Sequence, residues 1–164
     1  MLFPYCCSLY FAVFVSFTGI INSVLLDESS TFADEIYRLL NLEIKGHKKL
    51  YKLVSSINVF CQLVQVPRLC KKILSKLSIF LGLTHVHIRK TTATKLYEAL
   101  ALHGEVCDIS EENMDEILNL LSETDWGLPL VEVRPLRNQL CELMGIKPPM
   151  SAASTSATGS SQNI

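Results

Sequence analysis

Over most of this chain apolar residues recur every three or four positions, the spacing of helices that bury one face. Phe32, Ile36, Leu39 and Leu40 line a first such face, which ends near Lys45-Gly46. Thr31 followed by Asp34 has the form of a capping box at its start. A second stripe runs Leu50, Leu53, Val54, Ile57, Phe60, Cys61 and Val64 and stops before Pro67. The third comprises Leu69, Ile73, Leu74, Leu77, Phe80 and Leu81, with Gly82 placed to end it. Ile88, Thr92, Leu96, Ala99 and Leu100 share the buried face of a fourth, and Gly104 lies beyond it. Ser110 is an N-cap for a fifth helix carrying Met114, Ile117, Leu118 and Leu121, whose first turn holds Glu111 and Glu112 as the helix dipole prefers. After Trp126-Gly127-Leu128-Pro129 a sixth runs through Leu136, Leu140, Leu143 and Met144 to Gly145, with Pro135 in its first turn.

Six helices joined by short loops predict an all-α array over residues 30–147. Ile88-Arg89 and Val133-Arg134 each put an aliphatic-Arg step at a helix start. The two arginines, at 89 and 134, are separated by a period typical of HEAT repeats, about 40–47 residues. The pattern leaves a closed bundle or a stack of helix pairs, and the repeat spacing favours a HEAT-type stack.

The ends differ from this body. Residues 1–26 carry no charge, and as one helix they would reach ~39 Å, enough to cross a ~30 Å hydrocarbon core. A signal-like segment is weakened by the absence of Lys or Arg ahead of the apolar run and by Pro4. This segment supports one alternative, a small membrane-anchored helical adaptor. Residues 148–164 are small, polar and rich in Ser, Thr and Ala, which predicts a disordered tail.

Net charge is −1, which argues against a broadly basic nucleic-acid binder, and no aromatics interleave with the basic residues. The charges are segregated, however. Between Glu43 and Glu98 there are eleven Lys or Arg and no acid, whereas from Glu98 to Glu132 there are ten acids and no Lys or Arg. Adjacent helices are expected to set these two groups across from each other as loosely paired, solvated faces. The functional alternative is a basic surface presented to an acidic partner, with Lys48, Lys49, Lys52, Lys71, Lys72, Lys76, Arg89, Lys90, Arg134 and Arg137 as candidate contacts. Trp126, the only tryptophan, either plugs the junction between the fifth and sixth helices or anchors an interface.

Six cysteines without a CxxC pair, most of them on or near apolar stripes, predict reduced, buried side chains and a reducing compartment. His85-x-His87 has two-ligand spacing, but His103 and Cys107 complete no zinc pattern. There is no glycine-rich phosphate loop, GxSxG or HExxH, so neither a catalytic site nor a cofactor is expected.

Several blocks carry a resemblance to a known family. Ile88-Arg89-Lys90-Thr91-Thr92-Ala93 with Tyr97, the Leu121-Ser122-x-Thr124-x-Trp126 element, and Val133-Arg134 leading to Arg137-Asn138-x-Leu140-Cys141-x-Leu143-x-Gly145 resemble the C-terminal region of tubulin-specific chaperone D (tubulin-folding cofactor D). The likeness extends back to about residue 32, more weakly through Ser56-Ile57-x-Val59-Phe60-Cys61. It implies an all-α, armadillo/HEAT-like α-solenoid fragment, cytoplasmic and microtubule-associated, that binds β-tubulin and assists assembly of the αβ-tubulin heterodimer. Tubulin cofactors C and E and an Arf-like small GTPase are the implied partners, and the family contributes to GTPase activation of tubulin without an active site of its own. Residues 1–26 depart from that family.

Overall fold

The computed structural model describes residues 31–45 and 50–149. The expectations for residues 1–26, for Lys48 and Lys49, and for the tail from residue 150 lie outside them. The described chain forms six α-helices: α1 (Phe32–Ile44), α2 (Leu50–Leu63), α3 (Pro67–Leu81), α4 (Val86–His103), α5 (Glu111–Glu123) and α6 (Leu130–Leu143). A 3₁₀ turn, Gly104–Cys107, follows α4. Among the described residues no helix is long and apolar enough to cross a membrane.

The helices stack in sequential pairs. α1 packs on α2, α3 on α4 and α5 on α6, while α2 also packs on both α3 and α4. The last pair closes on the middle one through α4 against α5 and α3 against α6. Substantial contacts thus run only between neighbouring pairs, the quasi-one-dimensional arrangement of an all-α solenoid-like fragment. α4 is the central element, and Ile88, Arg89, Thr92, Ala93, Leu96, Ala99 and Leu100 are all buried along it. Its buried Thr92 is satisfied locally, the hydroxyl donating to the Ile88 carbonyl at 2.7 Å. α3 contributes the largest share of the core, with Leu69, Ile73, Leu74, Leu77 and Leu81 essentially without exposure.

Most helix bounds follow the apolar periodicity, and the departures have physical causes. Thr31 makes no side-chain cap, and its carbonyl instead accepts from the Glu35 amide at 3.0 Å. Asp34, expected in the capping box, accepts from Arg68 Nε of α3 at 3.0 Å. α1 buries Ala33 and Leu40, leaving Phe32 and Leu39 of the expected face exposed. Pro67 opens α3, where its missing N–H costs nothing. The Ser110 cap forms, its Oγ accepting from the Asn113 amide at 3.4 Å.

Pro135 lies inside α6 rather than in its first turn, because the helix starts at Leu130. The carbonyl of Val131, deprived of its donor, belongs to a residue 76% exposed, so water can reach it. At the far end Gly145 takes φ 64°, and the Ile146 amide donates back to the Cys141 carbonyl at 2.9 Å, a Schellman-type stop.

The cysteine expectation is corrected in part. Cys70 of α3 and Cys107 of the 3₁₀ turn are joined as a disulfide across a sequence separation of 37, with Cα atoms 5.6 Å apart. The α3–α4 hairpin folds the turn back onto α3, a long-range approach that spacing alone does not reveal. Cys61 and Cys141 are free and buried.

Candidate protein interface

Two of the candidate contacts face inward. Arg89 sits in the first turn of α4 and is 2% exposed. Its Nε donates to the Trp126 carbonyl, Nη1 to the carbonyls of Leu83 and Thr84, and Nη2 to the Leu128 carbonyl, at 2.8–3.1 Å. The planar fork thus ties the loop before α4 to the loop between α5 and α6. Trp126 is also buried and donates its indole N–H to the Leu121 carbonyl at 3.0 Å, so it plugs the α5–α6 junction. Neither residue is a surface contact, a correction to the candidate set.

The other candidates fall into two places. Lys90 is exposed on α4 and pairs with Asp125 at 3.1 Å. The Gly127 amide and the Lys90 ammonium hold the Asp125 carboxyl below its ordinary range. Beside this pair an open cleft of about 340 Å³ runs between α4 and α5, lined by Thr94, Tyr97, Leu121 and Ser122. Lys52, on α2, is engaged with Glu43 of α1.

The larger group lies on α3 and α6. Lys72 is exposed and forms no ion pair among the described residues. Lys76 is half-buried, and burial pushes its ammonium below the ordinary range. Lys71 donates to the Met144 carbonyl at 2.8 Å and the Asp108 carbonyl at 3.4 Å, tying α3 to the end of α6. Arg134 is exposed on α6. Arg137, one turn on, is 6% exposed, and its Nε and Nη2 donate to Asn138 Oδ1 at 3.2 and 2.8 Å. Helical spacing puts Lys72 and Lys76 one turn apart on α3, a helix with no acidic residue, and α6 packs directly against it.

The acidic block does not neutralise this face. None of the five acids of α5 (Glu111, Glu112, Asp115, Glu116, Glu123) forms an ion pair among the described residues; Glu116 accepts instead from Gln139 Nε2. Among the described residues Lys90–Asp125, from α4 to the loop after α5, is the one ion pair between elements that joins the basic block to the acidic one. The expectation of two paired faces is met at one contact, Lys90–Asp125, where acidic α5 and the loop after it abut basic α4, while α3 lies against α6. Block composition showed the segregation of charge, but not which helices would be neighbours.

His85 and His87 occupy the start of α4, both exposed. No family model and no solved structure matches the chain.

Proposed function

We propose that this chain is a helical-repeat binding module that docks an acidic protein surface on the face shared by α3 and α6. The observation that carries the reading is that Lys72, Lys76 and Arg134 have no acidic partner among the described residues and stand on packed neighbouring helices. Such a surface steers an acidic partner at long range and gives up affinity as salt screens it. It acts through contact, with no chemistry of its own. The sequence likeness supplies the partner: β-tubulin, with tubulin cofactors C and E and an Arf-like small GTPase as co-workers in tubulin folding, heterodimer assembly and GTPase activation. Cytoplasm and the microtubule cytoskeleton are the matching location.

The test is capture of purified β-tubulin by the tagged chain over a salt series from roughly 0.01 to 0.15 M, across which the Debye length falls from about 30 to 8 Å. Retention at the low end that fades toward the high end is the expected result. No retention at any salt concentration would remove the proposal.

A further inference from the structure

Two arginines are buried in this fold, and they are provided for very differently. Arg89 meets four backbone carbonyls. Arg137 meets one side-chain amide oxygen, which it grips twice, and the Pro149 carbonyl at 3.4 Å. Among the described residues its Nη1 makes no hydrogen bond. Among the described residues no fully buried side-chain nitrogen or oxygen lacks a partner, so Nη1 keeps a path to solvent.

No acid answers the Arg137 charge. Neither it nor Arg134 forms an ion pair among the described residues, and Glu142 on the same helix is exposed and pairs with neither. The groups that bear on Arg137 are Cys141 and Arg134. Burial first, and then the like charge of Arg134, hold its guanidinium below the ordinary range. The Cys141 thiol, raised by burial, stays neutral and offers no counter-charge. A guanidinium largely withdrawn from water without an acid is disfavoured until an anion arrives to share the site.

Gly82 shapes the approach. A Cβ at that position would lie 2.5 Å from Nη1 and 3.4 Å from Cζ, so any side chain would push the guanidinium aside. Its φ of −98° is open to any residue, which leaves room for Arg137 as the reason a glycine fits there.

We infer that the corner formed by Arg134, Arg137 and Gly82 is an oxyanion anchor that receives a glutamate or aspartate carboxylate from an acidic peptide segment. The inference rests on the reading of the α3–α6 face as a docking surface and names its anchor. One free nitrogen on Arg137 and the exposed fork of Arg134 suit the two oxygens of a carboxylate. Lys72 and Lys76, a helical turn apart, suit further acids along the same segment rather than a single isolated anion.

Fluorescence anisotropy of a labelled oligoglutamate peptide against the full chain at low salt tests this, with inorganic phosphate as a separate arm. Arg137→Gln should weaken binding about tenfold and Arg134→Gln about threefold, as expected for a desolvated and an exposed charge-assisted contact. Gly82→Ala should weaken it without altering charge, by displacing Nη1. If Arg137→Gln fails to fold, Arg134→Gln and Gly82→Ala carry the test. Wild-type affinity in all the corner variants, together with loss in Lys72→Gln/Lys76→Gln, would overturn the anchor and leave the docking face standing. Absence of peptide binding by the wild type at every salt concentration would remove both. Phosphate binding without peptide binding would overturn the anchor in favour of a small-anion site.

Discussion

Arg89 is the residue on which the geometry of two loops depends, because one rigid fork donates to four backbone carbonyls across them. Arg89→Met should lower unfolding free energy by about 3–5 kcal/mol in urea titrations, since it removes a buried charge-assisted network and leaves the buried Trp126 carbonyl without its donor. Arg89→Lys should recover little of this, because an ammonium lacks the planar spread to span both loops. Cys61 supplies a second expectation at this scale. Burial pushes its thiol up to about 12, while in the unfolded chain it ionises near roughly 8.5. The folded state therefore holds the proton that the unfolded state gives up. The contribution is fully present below the unfolded value and is lost as pH rises toward the folded one. Urea midpoints followed from about pH 8 to 11 should fall more steeply for the wild type than for Cys61→Ala. Parallel curves would show that this thiol does not govern alkaline stability.

At the level of elements, the helices were legible because periodicity, Pro67, Gly82 and the Ser110 cap all point to the same bounds. What local pattern could not show is where a side chain finds a better partner far away. Asp34 leaves its capping role for Arg68 of α3, and Pro135 sits within α6 because Pro129 and Leu130 had already begun the helix. The link between Cys70 and Cys107 was hidden for the same reason. It ties α3 to the connection between α4 and α5, just where Lys71 also reaches across to Asp108 and Met144. Reducing it should cost about 2–4 kcal/mol by the loop-entropy account, and Cys107→Ser should reproduce that loss while Cys141→Ser should not. A cytoplasmic location adds a sharper expectation, since the glutathione pool opens any disulfide whose potential lies above its own. Alkylation in freshly lysed cells should then label Cys70 and Cys107 as thiols, and a closed bridge there would count against that location.

Across the whole molecule, the fold class could be read from apolar spacing alone, whereas the charged surface could not, because block composition does not say which helices become neighbours. The same limit applies to the end of the stack. The periodicity marks Phe32 and Leu39 as core, yet α1 packs mainly on α2 and leaves Leu39 at 48% and Leu42 at 54% exposure, with Leu50 and Tyr51 exposed at the start of α2. Apolar side chains presented in this way at the edge of the described residues offer a surface for association, because stacked repeats bury such faces against a neighbour. Residues 31–149 expressed alone should unfold cooperatively in urea and gain mass with concentration in sedimentation equilibrium up to about 100 μM. Leu39→Lys combined with Leu42→Lys should return the fragment to a monomer and change its stability by no more than about 0.5 kcal/mol, since both positions lie outside the core. A fragment that stays monomeric throughout would show that α1 ends the stack without help, and that its exposed leucines are ordinary surface.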